Sequence, residues 1–370
     1  MVYLIGVLMS AIPVPNPRDE VIKRLEAIRA RSSYSFRLVQ SILRGYGLET
    51  AAGWNQLIAN YQSLDYSKVS VSSCLSVLDY LYSSSICASN AAVWVWNISR
   101  EDAGVLISKA HELISDKSLF YSSFPYPIDN GVLMSAPYNG EFVGRYDEHQ
   151  DIILFSCSKR AYRSRESISL QDLPIGARQS FYGFDELIGI KSGYIQAFDR
   201  VVISPAGRLE LHLDMCCNMS VEDMEQYKNY YVKLLKAFAE RVLGSPAPWF
   251  DFSINFFPKI VDLYNDPDGE VLALEHTTST KSVKGERMRS RKLDLRKEAF
   301  HVEGMKSIPS TDIFAIKKGW KTRSVGDHSY SISIPGKLPS AGGALGFTRY
   351  ILVEGCLDFS EFEMAVSKAL

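Results

Sequence analysis

A dense run of basic side chains is the feature of this sequence best suited to do chemistry. Residues 281 to 297, KSVKGERMRSRKLDLRK, hold eight lysines and arginines in a chain whose formal net charge is only −1. Arginine dominates its centre, and the planar guanidinium binds phosphate or carboxylate through two parallel hydrogen bonds. The run therefore predicts a surface for an anionic partner, and the alternative is an ordinary solvated face.

A second basic stretch, KKGWKTR at residues 317 to 323, interleaves Trp320 with four cations. An exposed ring beside cations suits single-stranded or looped nucleic acid, where each stacked base is worth about 1–3 kcal/mol. The alternative is a hairpin whose tryptophan faces the core while its lysines merely solvate the rim. The predicted nucleic-acid contacts are Lys284, Arg287, Arg289, Arg291, Lys292, Arg296, Lys317, Lys318, Trp320, Lys321 and Arg323.

Charge is unevenly distributed around these two stretches. From Lys281 to Arg323 there are thirteen basic and five acidic residues, whereas the rest of residues 251 to 370 has four basic and eleven acidic ones. The near-neutral total therefore hides one strongly positive segment. DNA or RNA is the first partner that this segment indicates, and an acidic protein is the second.

A third pattern, LELHLD at residues 209 to 214, places acidic and imidazole groups at strand spacing. In a strand, Glu210, His212 and Asp214 lie on one side and the three leucines on the other. An imidazole between two carboxylates can bind a divalent metal or act as a base with oriented partners. The same alternation also describes the solvent face of an ordinary amphipathic strand.

Asp268, followed by Glu275 and His276, is a weaker acidic candidate. A Pro-Asp with a Glu a short distance on resembles the metal-binding half of restriction-type nuclease cores, in which carboxylates hold the ion that activates water. Thr277 stands where that pattern has its lysine, and Asp268 also suits a turn by its geometry alone.

Three functions follow as hypotheses. The first is a non-enzymatic binding protein for an anionic macromolecule, nucleic acid first, without a cofactor. The second is a metal-dependent phosphodiester hydrolase, a nuclease that uses a divalent metal, and the third is a protein-binding inhibitor or scaffold. The catalytic residues of the second hypothesis are Glu210, His212, Asp214, Asp268 and Glu275.

The composition of the chain indicates the class of protein and the compartment to which these hypotheses apply. The chain of 370 residues is 46% hydrophobic and 22% charged, as expected for a globular protein of two or three domains. Its six cysteines form no CxxC pair, which favours reduced thiols in the cytoplasm. The apolar N-terminal run stops near Pro13 with no basic residue ahead of it, so neither a secretory signal nor a membrane span is predicted.

The elements that must position these residues indicate an α+β fold. Asn16-Pro17 and Ser99 with Asp102 are helix starts, and residues 1 to 130 read as a mainly helical N-terminal domain with one strand at AAVWVWNIS. Residues 131 to 244 read as a sheet-and-helix unit with a hairpin at 194–214 and a helix at 221–243.

A second α+β unit is predicted over residues 251 to 370, after the linker-like GSPAPW, and it carries the basic segment 281–323. Residues 252–278 are predicted to form a strand, a turn and a second strand. The turn Asp266-Pro267-Asp268-Gly269 resembles the earlier turn Ser204-Pro205-Ala206-Gly207, so a decayed duplication is one interpretation of the two units. The secondary structure of residues 281–297 stays open. A helix would group Lys284, Arg287 and Arg291 on one face, whereas Leu293 and Leu295 alternate as in a strand.

Overall fold

The computed structural model describes residues 16–31, 34–66, 70–148, 150–278, 282–307, 311–322, 328–337 and 346–370. The chain divides into two compact units, Met1–Ser85 and Ile86–Leu370. The helices are α1 (Pro17–Arg31), α2 (Phe36–Gly45), α3 (Trp54–Ser63), α4 (Val71–Cys87), α5 (Arg100–Lys109), α6 (Asn130–Ser135), α7 (Ile175–Arg178), α8 (Val221–Leu243), α9 (Lys259–Asn265), α10 (Ala299–Lys306) and α11 (Phe359–Ala369). The strands are β1 (Ala91–Asn97), β2 (Glu141–Glu148), β3 (Asp151–Ile168), β4 (Leu187–Ser204), β5 (Arg208–Asp214), β6 (Glu270–Thr278), β7 (Val283–Arg287), β8 (Thr311–Lys321), β9 (Ser329–Ile334) and β10 (Ile351–Glu354).

The first unit is helical in its described residues, as predicted. α1 begins where the sequence indicated, because the Asn16 side chain accepts a hydrogen bond from the backbone of Arg18 at 3.1 Å. Arg24 then links α1 to α4, since its Nε lies 2.6 Å from an oxygen of Asp79. Ser35 caps α2 by accepting a hydrogen bond from Leu38.

The second unit is built on one antiparallel sheet of ten strands in the order β2-β3-β4-β5-β1-β10-β9-β8-β6-β7. The α+β prediction is therefore confirmed. β1 lies at the centre, paired with β5 on one side and β10 on the other. Over the part of the chain that the structure describes, no helix combines the length and apolar character needed to cross a bilayer.

Helices cover both faces of this sheet. Ala92, Trp94 and Trp96 of β1 belong to a core shared with α5 and α8. The alternate residues Ala91, Val93 and Val95 belong to a second core, shared with α9 and α11. β1 is apolar at nearly every position because it is buried on both sides.

The hairpin and helix predicted near the middle of the chain are confirmed, and β4 is longer than predicted. β4 and β5 join through a turn in which Gly207 donates to the carbonyl of Ser204 at 3.0 Å. Gly207 has φ +97°, and a Cβ there would lie 2.6 Å from the carbonyl oxygen of Ile98. α8 begins with a reciprocal capping box between Ser220 and Asp223.

The units found differ from the three predicted domains. β1 lies within the predicted helical domain 1–130, but it pairs with strands from both later units. The segment after Gly244 is no loose linker, since Ala247 and Phe250 are buried. Ladder pairing across the predicted boundaries joins the regions 131–244 and 251–370 in one sheet.

The strand predicted ahead of Asp266 is wrong, because residues Lys259–Asn265 form α9. Ile260 and Leu263 are buried at helical spacing, which favours a helix over a strand. The turn at Asp266–Gly269 therefore joins a helix to β6 and is not equivalent to the hairpin turn between β4 and β5. This removes the resemblance on which the interpretation as a duplication depended.

Candidate functional site

Residues 282–297 of the basic run form the edge strand β7 and the turns that follow it in the chain. β7 is the last strand in the sheet order and pairs only with β6 among the described strands. A short 3-10 helix follows at Leu295–Lys297. The helical interpretation is therefore wrong. A helix made of these residues would have almost no apolar stripe to bury, whereas a strand can form backbone hydrogen bonds with β6. Lys281 lies outside the described residues.

A pocket of about 240 Å³ brings the two predicted basic stretches together. The turn after β7 supplies one part of its wall, and β8 with the start of β9 supplies the other. Ser290 Oγ accepts a hydrogen bond from the backbone of Lys292 at 3.2 Å, which shapes the turn. The lining residues are Ser290, Arg291, Lys292, Lys321, His328 and Ser329.

The charge of this pocket comes from Arg291, Lys292 and Lys321, which are all exposed. His328 donates from Nε2 to the carbonyl of Gly355 at 2.6 Å. Burial lowers the pKa of His328, and the charge of Arg291 lowers it further, although the bond to Gly355 opposes both effects. The pocket is therefore lined by three cationic side chains, two serines and an imidazole that is neutral at pH 7.

Three more predicted contacts extend this positive surface. Lys284 and Arg287 are exposed at the edge of the sheet on β7, where their spacing of three residues places them on opposite faces, and Arg289 is exposed in the following turn. They continue the chain toward Arg291 with no acidic residue other than Glu286 between them. We call these three residues together with Arg291, Lys292 and Lys321 the basic surface.

Three other predicted contacts hold the fold together. Arg296 pairs with Asp294 and donates to the backbone carbonyls of residues 264, 266 and 269. Lys318 is buried, and its Nζ donates to the carbonyls of residues 263 and 266 at 2.8 and 2.6 Å. Lys317 forms an ion pair with Glu354. Each has protein acceptors where phosphate oxygens were expected.

Trp320 does not lie on the basic surface. It is 4% exposed and stacks on Tyr330 in the core, with ring centroids 5.8 Å apart. The inward position follows from the alternation of β8, which directs Lys318 and Trp320 to the same face and leaves Lys321 exposed. The prediction that Trp320 stacks on bases is corrected accordingly. Arg323 lies outside the described residues.

Glu210 and His212 are both completely buried, so the polar side of β5 is neither a solvent face nor the wall of a cleft. The Nε of Arg200 is a donor that lies 3.4 Å from His212 Nδ1. That nitrogen must accept, so Nε2 carries the proton and donates to Glu210 at 2.6 Å. Arg208 pairs with Glu210 and also with Glu363 of α11.

Burial shifts the protonation equilibria of this cluster. It raises the pKa of Glu210 to about 7, with Arg208 acting in the opposite direction. It lowers the pKa of His212 well below the usual range, and the charges of Arg200 and Arg208 add to that effect. The imidazole is therefore neutral at pH 7. The group ties β5 to α11 beneath the ring of Phe362, whose centroid lies 4.7 Å from that of His212.

Asp214 belongs to a different set of contacts. Its carboxylate accepts from the backbone of Phe198 at 2.8 Å, and its own N–H donates to Asp199. Asp199 is in turn bonded by Arg160 and by the hydroxyl of Tyr231. The three residues of LELHLD predicted to act together are thus divided between separate buried networks.

Asp268 and Glu275 are not brought together with one another. Asp268 is paired with Lys368 at 2.6 Å beside the start of β6. Glu275 is exposed well along that strand, opposite Gly285 and Ala315. Within the described ranges, no cluster of three or more His, Cys, Asp and Glu side chains is placed to hold a metal ion.

A chain of four side chains was missed by the sequence analysis. Tyr264 O–H lies 2.9 Å from Nε2 of His301, whose Nδ1 lies 2.9 Å from Glu286, and Nε2 of His276 lies 2.9 Å from the same oxygen of Glu286. Burial acts to raise the pKa of Glu286, but the hydrogen bonds from the two histidines outweigh it and lower the pKa. Burial raises the pKa of Tyr264, which is the opposite of activation as a nucleophile. The chain ties β6, β7, α9 and α10 together.

The pocket residues Ser290, His328 and Ser329 were also missed. Ser290 stands within the basic run, but a serine among arginines carries no signal of its own. His328 and Ser329 precede or begin β9 and reach the pocket only through the pairing of β9 with β8. Their position at the pocket depends on the order of the strands in the sheet, and the spacing of residues within a short stretch of sequence does not predict that order.

Comparison with models of known protein families, with curated proteins and with solved structures finds no match to this chain.

Proposed function

We propose that this chain binds an anionic macromolecule, nucleic acid first, through the basic surface. The observation that carries the proposal is the pocket in which Arg291, Lys292 and Lys321, drawn from two separate segments, meet two serine hydroxyls. Cations and hydroxyls in one concave site match the oxygens of a phosphate group. The proposal includes no cofactor and no catalytic step.

The pocket has the size and setting for such a group. Its volume of about 240 Å³ is far larger than the roughly 10–15 Å³ that a cavity needs, on the same measure, to hold one water molecule. Arg291 and Lys321 carry no carboxylate partner among the described contacts, unlike Lys317 and Arg296. Their charges are therefore available to a ligand.

Nucleic acid is favoured over a small anion because the cations continue beyond the pocket. Arg287 and Arg289 extend the basic surface from the pocket along β7 and its turn, and Lys284 adds a cation on the other face of the same sheet edge, which offers contacts to successive phosphates. With Trp320 in the core, the proposed binding rests on backbone contacts without base stacking. We infer low sequence specificity and a strong dependence on salt. A reducing compartment, the cytoplasm, suits both such a ligand and the cysteine pattern.

Fluorescence anisotropy with labelled single-stranded and duplex oligonucleotides, over a series from about 50 to 200 mM salt, tests the proposal. Each phosphate contact contributes about −0.9 to the slope of log K against log salt on duplex and about −0.7 on a single strand. Replacing Arg291 and Lys321 together by alanine should reduce the slope by about 1.8 or 1.4 respectively. Affinity should fall on both probes.

Lys306→Ala is the matched control. Lys306 is a solvent-exposed cation on α10 that pairs with Glu303 and does not line the pocket. Its removal should leave both slopes unchanged. Absence of binding at the lowest salt, or equal slopes for the double variant and the wild type, would overturn the proposal. Binding to an acidic protein with no binding to either oligonucleotide would assign the basic surface to protein recognition instead.

A further inference from the structure

β3 and β4 extend beyond the rest of the sheet as a two-stranded arm. The two strands pair from Ile152↔Ile203 to Ile168↔Leu187 without interruption. β2 accompanies β3 only as far as Cys157, and β5 accompanies β4 only from Arg200. Residues 162–193, called the arm, therefore have sheet partners only within the arm, so far as the described strands show.

The arm exposes large apolar side chains. Ile188 and Ile190 lie on one face of β4 and are 57% and 68% exposed. In the loop at the tip, Ile175 and Tyr182 are 80% and 92% exposed, and Phe184 is also exposed. Apolar groups concentrated in this way mark an interaction surface, and unpaired strand edges add backbone groups that can form further ladder bonds.

Charge is segregated along the arm. Arg163 and Arg165 are exposed in its two-stranded part, on the same face as the two isoleucines, and Arg165 lies opposite Ile190. The tip carries the exposed carboxylates of residues 172, 185 and 186. The one basic residue at the tip, Arg178, donates to the carbonyls of residues 173 and 171 and so is used within the loop.

We propose that two copies of this chain associate through their arms, placed antiparallel about a two-fold axis near Ile188 and Ile190. A two-fold contact requires a surface that is complementary to itself. In this antiparallel arrangement Arg163 and Arg165 of each copy lie toward the acidic tip of its partner, and the isoleucines of both copies are covered. This charge arrangement selects a second copy as the occupant over a partner of uniform charge.

Sedimentation equilibrium of the full chain over a range of concentrations tests the proposal. The wild type should show a reversible monomer–dimer equilibrium. Ile188→Asp with Ile190→Asp should raise the dimer dissociation constant by more than about tenfold, since each substitution occurs twice in the contact. Both side chains are exposed in the single chain, so the fold should be kept.

A charge exchange provides a second measurement. Arg163→Glu with Arg165→Glu should weaken the dimer, and adding Asp185→Lys with Glu186→Lys should restore it, because the complementarity is then reversed but intact. Val221→Asp, which changes another half-exposed apolar residue at the start of α8, is the control and should leave the dimer unchanged. A wild type that stays monomeric at every concentration, or a dimer insensitive to the isoleucine and charge variants, would overturn the proposal.

Discussion

Arg160 and Asp199 form an ion pair in which both side chains are 1% exposed, with Nη2 of Arg160 2.6 and 2.7 Å from the two carboxylate oxygens. The carboxylate also accepts from the backbone of Asp214 and from the hydroxyl of Tyr231, each at 2.8 Å. The remaining contacts of Arg160 include the Asp214 carbonyl and the ring of Tyr227. One carboxylate therefore joins β3, β4, β5 and α8.

Asp199→Ala should lower the free energy of unfolding by about 3–5 kcal/mol, because it leaves the guanidinium of Arg160 buried without its counter-charge. Urea unfolding followed by circular dichroism measures the change. Glu303→Ala removes an exposed carboxylate from an ion pair on α10 and should change stability by less than about 0.5 kcal/mol. A loss below about 1 kcal/mol for Asp199→Ala would show that the pair does not hold these elements together.

Two glycines should respond in opposite directions to alanine. A Cβ on Gly140 would lie 1.9 Å from the hydroxyl of Tyr231 and 2.5 Å from Oγ of Ser156, so Gly140→Ala should cost about 1–3 kcal/mol through overpacking. Gly104 lies inside α5 with nothing within 4 Å of its Cβ position, so Gly104→Ala should stabilise by about 0.5–1 kcal/mol. Thermal unfolding of the two variants gives the comparison. Equal signs would contradict the packing described around Tyr231.

Stability should fall as pH rises through the titration of the carboxylates around Arg208. Burial raises the pKa of Glu363 to about 8 and that of Glu210 to about 7, from an ordinary value of 4.5. Between pH 4.5 and 8 the folded state therefore binds more protons than the unfolded state. The free energy of unfolding consequently decreases with pH, by up to about 1.4 kcal/mol per pH unit for each group.

His212 acts in the opposite direction, but only at lower pH. Its pKa is lowered in the folded state, so its contribution is present above pH 6.5 and is lost as pH falls below that value. From pH 7 to 8 the carboxylates act without this opposition. Glu363→Gln should therefore flatten the pH dependence of urea unfolding in that interval. Glu225→Gln, a change at a half-exposed carboxylate on α8, should keep the wild-type slope.

Local signals in the sequence placed many of the elements correctly. The caps at Asn16, Ser99 and Ser220 act through contacts within three residues, so the chain itself contains the whole signal. Alternation in LELHLD likewise predicted which residues share a face of β5. It could not predict that this face is buried, because β1 and α11, which lie beside and over β5, come from distant parts of the chain.

The candidate site likewise has some features that the local sequence predicted and others that depend on tertiary packing. The positive character of residues 284–292 follows from composition, and their exposure agrees with it. Trp320 and Lys318 were assigned to a ligand because the spacing of KKGWKTR does not show which face of β8 meets the core. The pairing of Tyr264 with His301 and of Glu286 with His276 arises from four elements packed together, and no spacing rule connects them.

The position of β1 sets an order of events during synthesis of the protein. Val93 pairs with His212 on one side and with Ile351 on the other. Ile351 lies 258 residues after Val93 in the chain, so it leaves the ribosome long after β1 has been made. Until then the middle of the sheet has an open edge with apolar side chains on both faces, which is a site of misassembly in a nascent chain. β10 and α11 close that edge, and we expect co-translational folding of this unit to remain incomplete until residues 351–370 are made.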